Sequence, residues 1–186
     1  MDAYDGRSGD WFNRNAAKNG NDIAIGVNNV EDMVQKLEAI RDGGQIITEL
    51  TIYDHGGVGG AVQFVGKQEA GEPIGSDVLE VGKLATRLGG ALDKDAVVNL
   101  RGCWVARGPE GRNYVQLLAN AIDRNVTASS SAVTVTPFGT LNAEFGYQYL
   151  IKNYGLVFGD RVVKSPGGNL EPAGPDAQGT RKTGSK

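Results

Sequence analysis

The sequence predicts a single α/β domain built on a mostly parallel sheet flanked by helices on both faces. Three observations carry that prediction. Short β-branched runs alternate with stretches whose apolar residues recur at helical spacing. A helix between successive strands implies parallel crossover units, and such units place helices over both faces of a sheet. The chain has 186 residues, 40% of them hydrophobic and 22% charged, enough to bury one ordinary core.

The elements follow in order. Residues 1–20 read as a polar N-terminal arm, 21–164 as the α/β domain, and 165–186 as a flexible Gly/Pro-rich tail without apolar periodicity. Ile23–Val27 is the first strand. Asn29 then offers an N-cap, and Val30, Met33, Val34, Leu37 and Ile40 form a helical stripe that Gly43-Gly44 stops. Ile46–Tyr53 is the second strand and ends at Asp54-His55-Gly56-Gly57. Ala61–Val65 reads as a short returning strand with no evident partner. Ser76 caps a second helix whose apolar stripe is Val78, Val81, Ala85, Leu88 and Leu92. Ala96–Leu100 is the next strand and ends at Arg101-Gly102-Cys103. After the polar loop ARGPEG, Tyr114, Leu117, Leu118, Ala121 and Ile122 mark a third helix. Val126–Ala128 begins a strand that runs into Ser129-Ser130-Ser131. A helix near Ala143–Lys152 and a strand near Leu156–Val163 complete the reading.

Composition excludes several function classes. A net charge of −3 offers no concentrated basic face for nucleic acid. No apolar run is long enough to span a bilayer. The polar start has no hydrophobic segment of the kind a secretory signal needs, which leaves localisation open between a cytoplasmic protein and a part of a larger secreted one. One cysteine cannot form an internal disulfide. One His and one Cys cannot close a zinc site without carboxylates of recognisable spacing, so neither metal nor cofactor is expected. Gly57, Gly59 and Gly60 are not a phosphate loop, because no Lys-Ser/Thr pair and no helix follows them.

His55 is the chain's one histidine and Cys103 its one cysteine, and each follows an apolar strand and is bordered by glycine. Carboxyl ends of strands are where open α/β sheets bind ligands. A cysteine nucleophile needs a nearby base, for which imidazole is the usual choice. Its tetrahedral intermediate needs preorganised donors, and the N–H groups of Gly56 and Cys103 lie in turns at the two strand ends. Asp54, by strand alternation, points away from His55 and reads as a turn residue. Asp22, Glu69 and Glu72 are candidate carboxylates whose ordinary reading is solvation.

The segments LTIYDHGG and VVNLRGCW, in that order, resemble the caspase-like (clan CD) cysteine peptidases. That group includes caspases, gingipains, separase and self-cleaving domains of bacterial toxins. Its pattern is an apolar strand ending in His-Gly and, roughly 50 residues on, another ending in a small residue and Cys. The parts GCWVARGPEG, the helix from Arg112 and VTASS are similar to bacterial members, and the likeness spans Ile23 to Ser131. It implies a caspase-like fold and a cysteine endopeptidase with His55 and Cys103 as catalytic dyad, the Gly56 N–H in the oxyanion site, and a thioester intermediate. Arg101 and Trp104 flank the nucleophile, and Ser129 and Ser130 follow the neighbouring strand where the family shapes its first specificity pocket; all four are expected to bind substrate. The caspase pentapeptide is absent from Leu100-Arg101-Gly102-Cys103-Trp104, so no aspartate specificity is transferred. The implied partners are a protein or peptide substrate and, if the domain is the toxin effector of a larger bacterial protein, a cognate inhibitor or immunity protein. The rival reading is a catalytically inactive interaction module on the same fold.

Overall fold

The computed structural model describes residues 1–5, 23–53, 55–57, 61–63, 76–131, 135–136, 139–140 and 161–172. In chain order these hold β1 (Asp2–Asp5), β2 (Ala24–Val27), α1 (Val30–Asp42), β3 (Glu49–Tyr53), β4 (His55–Gly57) and β5 (Ala61–Gln63). Next come α2 (Ser76–Ala91), β6 (Val97–Leu100), α3 (Gly108–Ile122), β7 (Asn125–Ser129), β8 (Val135–Thr136), β9 (Gly139–Thr140) and β10 (Arg161–Lys164). Six strands form one sheet in the order β10-β7-β6-β3-β1-β2, all parallel except β10, which runs antiparallel to β7. β4–β5 and β8–β9 are separate two-stranded antiparallel pairs. The expected α/β class and mostly parallel sheet are therefore present.

The amphipathic stripes place the core. Val30, Met33, Val34 and Leu37 of α1, Ala85 and Leu88 of α2, and Val115, Leu118 and Ile122 of α3 are buried. They share one cluster with Ala3, Leu50, Ile52, Val98, Leu100, Val126 and Ala128, which alternate along their strands onto one face of the sheet. All three described helices pack against this face. The buried residues on the opposite face are polar or aromatic: Asp2, Thr51, Tyr53, Asn99 and Thr127. An element covering that face is not among the described ones.

The Asn29 cap acts as the sequence predicts, and two arginines add contacts that the sequence reading did not single out. Asn29 caps α1 through its side-chain oxygen, which accepts from the Asp32 N–H at 2.8 Å. Arg124 caps the end of α2, its guanidinium donating to the carbonyls of Gly89 and Leu92. Arg87 of α2 bonds Glu38 and Glu31 of α1 and ties the two helices together.

Other features differ from the sequence reading. β1 lies inside the polar N-terminal arm, yet it is an inner strand between β3 and β2, with Ala3 and Asp2 fully buried. Residues 165–172, read as the start of a flexible tail, lie along α3. The Gln116 amide donates to the Ser165 carbonyl, Asn113 and Glu171 exchange two bonds, and Arg112 pairs with Glu171 at 2.7 Å. The short strand after the glycine turn finds its partner in β4, with Gly56 opposite Val62. α3 begins at Gly108, several residues earlier than its apolar stripe suggests, because Pro109 suits a first helical turn. The helix expected near residues 143–152 falls outside the described residues.

Candidate functional site

Parallel pairing brings the two motif strands side by side. β3 and β6 are adjacent in the centre of the sheet, with Ile52 opposite Leu100. His55 is the third residue beyond Ile52 and Cys103 the third beyond Leu100, so both leave the same edge of the sheet at the same offset. The Arg101 N–H still donates to the Ile52 carbonyl at 2.8 Å, which extends the pairing one step toward that edge. There β3 lies between β6 and β1, where the strand order changes direction. Crevices at such reversals are the usual binding sites of open α/β sheets.

His55 and Gly56 open β4, which turns back through β5. Cys103 stands in a tight turn, residues 103–106, between β6 and α3. Burial alternates sharply along it: Cys103 is half-buried, Trp104 is exposed, and Val105 and Ala106 are fully buried. Trp104 holds φ at 57°. α3 can approach this turn because residue 111 is glycine; a Cβ there would lie 2.6 Å from the Val105 carbonyl oxygen.

The predicted substrate residues fall around the same edge. Arg101 is half-buried, and burial lowers its pKa, with the nearby positive charge of Arg161 acting in the same direction. Tyr53, Glu49 and Asp2 oppose that shift, in keeping with the position of Arg101 two residues beyond Asn99, on the polar face of the sheet. Its Nε is buried and has no hydrogen-bond partner among the described residues. Ser129 ends β7, and Ser130 and Ser131 follow it. The carbonyls of Ser129 and Ser131 accept from the N–H groups of Ala106 and Trp104 at 2.9 and 2.8 Å. The serine segment thus touches the turn that carries Cys103 through its backbone. Asp54, Asp22, Glu69 and Glu72 lie outside the described residues.

Sequence reasoning missed the polar layer beneath the site. Asn99 donates to Glu49 at 2.6 Å and accepts from Thr127 at 2.6 Å and from Arg161 at 2.8 Å, linking four strands. The signal was present in the strict alternation of ELTIY and NVTAS, which marks one apolar and one polar face. Among the described residues no three His, Cys, Asp or Glu side chains gather as a metal site, and no described helix is long and apolar enough to cross a membrane.

The fold is an α/β domain that carries His55 and Cys103 just beyond the carboxyl ends of two central parallel strands. The chain belongs to the DUF4347 family, described as a domain of unknown function, whose profile matches residues 14–140, more than half of the chain and including both His55 and Cys103. No curated protein and no solved structure matches it significantly.

Proposed function

We propose that this domain is a cysteine endopeptidase of caspase-like type, with Cys103 as nucleophile and His55 as its acid–base partner. The observation that carries the reading is the equal offset of the two residues beyond the Ile52–Leu100 register pair on neighbouring parallel strands. Residues so placed on neighbouring strands stand at one rim of the sheet, which a dyad requires.

In this mechanism the Cys103 thiolate attacks the scissile carbonyl and forms a C–S bond. The resulting oxyanion is held by the backbone N–H groups of Gly56 and Cys103. Collapse breaks the C–N bond, and His55 gives its proton to the departing amine. Water, deprotonated by His55, then attacks the thioester, releasing the carboxylate product and restoring the thiol. Arg101, Trp104 and Ser130 line the substrate cleft. The half-buried guanidinium of Arg101 supplies a charge whose Nε has no partner among the described residues, and the exposed indole of Trp104 supplies an apolar platform.

The test is alkylation of Cys103 by iodoacetamide from pH 5 to 9, followed by a peptide-library digest. Wild type is expected to react fast well below pH 8, and His55→Ala to lose that reactivity. Cys103→Ala is expected to reduce peptide hydrolysis by roughly 10³-fold or more. Equal, slow alkylation of wild type and His55→Ala would overturn the peptidase and favour an inactive interaction module on the same fold.

A further inference from the structure

A tryptophan in the left-handed region needs something to hold it there. For a non-glycine residue this conformation crowds the side chain against the following carbonyl, at roughly 1–2 kcal/mol. The other described non-glycine residue with positive φ is Asp123, at the C-terminal cap of α3, where the conformation is ordinary. Trp104 ends no helix. Strain of this kind persists only where the surroundings over-determine it, and it gathers at functional sites.

The surroundings of Trp104 come from the exit of β7. The Trp104 N–H donates to the Ser131 carbonyl at 2.8 Å, and the Ala106 N–H donates to the Ser129 carbonyl at 2.9 Å. The Ser131 carbonyl is itself held in place. The Ser129 hydroxyl donates to it at 3.2 Å and accepts from the Ser131 N–H at 3.2 Å, closing a small ring across residues 129–131. One hydroxyl therefore fixes the acceptor that fixes the turn carrying Cys103.

We infer that Ser129 is a positioning residue: its hydroxyl shapes residues 129–131 into a template that holds the Cys103–Ala106 turn in its left-handed path and so sets where the Cys103 sulfur stands. This deepens the proposed role of Cys103 and rests on it. It also gives Ser129 a supporting task in place of a substrate contact, because its hydroxyl and its carbonyl are both engaged within the template.

Two readouts on the full chain test the idea: amide exchange at Trp104 and Ala106, and alkylation of Cys103 at pH 7 by iodoacetamide, a reagent too small to need the indole. In Ser129→Ala the Trp104 and Ala106 amides are expected to exchange at least tenfold faster, while Ile52 and Val98 keep wild-type protection. Alkylation is expected to slow at least threefold. Ser129→Thr, which keeps a hydroxyl, should restore both. Trp104→Gly added to Ser129→Ala should recover the alkylation rate, since glycine adopts positive φ without strain. Unchanged exchange at Trp104 and Ala106 in Ser129→Ala overturns the template, as does a Trp104→Gly that fails to rescue. His55→Ala separates this inference from the peptidase reading. It should slow alkylation and leave both amides protected; if alkylation is unaltered the nucleophile falls, and the exchange data still decide the template.

Discussion

Arg101 sits where a guanidinium is expensive to hold. Its Nε is buried without a partner among the described residues, and burial together with Arg161 works against its charge. An unsatisfied buried donor costs about 1–3 kcal/mol, whereas an apolar side chain of similar shape has no such donor to satisfy. Arg101→Met is therefore expected to raise the midpoint of thermal unfolding, by the equivalent of about 1 kcal/mol. If Arg101 reads substrate, the same variant should lower peptide hydrolysis while leaving iodoacetamide alkylation of Cys103 unchanged. A fall in both stability and alkylation would instead make Arg101 part of the framework. Such opposition between stability and activity is common where a site stores unmet interactions.

At the scale of elements, two glycines let α3 come close to its neighbours. A Cβ at Gly89 of α2 would collide with the Ile122 carbonyl oxygen, and a Cβ at Gly111 of α3 would lie 2.6 Å from that of Val105. Both neighbours are backbone atoms, so neither contact can be relieved by a rotamer change. Gly89→Ala and Gly111→Ala should each destabilise the fold by about 1–3 kcal/mol, the usual cost of overpacking. Their effects on the site should differ. Gly111 packs on the turn that carries Cys103, so Gly111→Ala is expected to slow Cys103 alkylation as well. Gly89 lies at the far end of α2 and should leave the alkylation of the folded protein at the wild-type rate. Equal effects on alkylation would show that α3 does not position the turn.

Across the whole molecule, the edge of the sheet is fastened by a charge. β10 completes the sheet against β7, and the segment after it is pinned to α3 through Glu171. Arg112 first, and Lys164 second, hold the Glu171 carboxyl below its ordinary range. A carboxylate with a lowered folded pKa stabilises the fold above its unfolded value, about 4.5, and that contribution is lost as the pH falls through the lowered folded value. Glu31, Asp32 and Glu38 are lowered too, by Arg87 and Lys36, so global acid unfolding cannot isolate the latch. Amide exchange at residues 161–172 can. Wild type is expected to lose protection there as the pH drops below about 4.5. Glu171→Gln should show weaker protection at pH 7 and little further loss on acidification. Retention of a steep acid dependence in Glu171→Gln would assign the latch to another group.

Local chemistry fixed much of this molecule in advance. The apolar stripe of α1, part of that of α3 (Leu117 and Ala121, expected in it, are exposed, while Val115 and Ala119 are buried) and the buried runs of β3, β6 and β7 are legible because helical and alternating periods depend on nearest neighbours alone. The Asn29 cap is equally local. His55 and Cys103 stood out because each follows an apolar run and borders glycine. Register and distant contact are another matter. DAYD is four residues with only a weak apolar pattern, and it becomes an inner strand because β2 and β3 supply its hydrogen bonds from both sides. Residues 165–172 have too little apolar surface to order themselves, and they are ordered by Arg112, Asn113 and Gln116 on a helix roughly 50 residues away in sequence. The left-handed turn at Trp104, against that residue's own preference, is imposed by carbonyls from β7. The sequence by itself determined which segments are helices, which are central strands and which two residues to watch. Tertiary structure decided the strand order, the fastened edge and the template beneath Cys103, because those depend on hydrogen bonds between segments that no local period encodes.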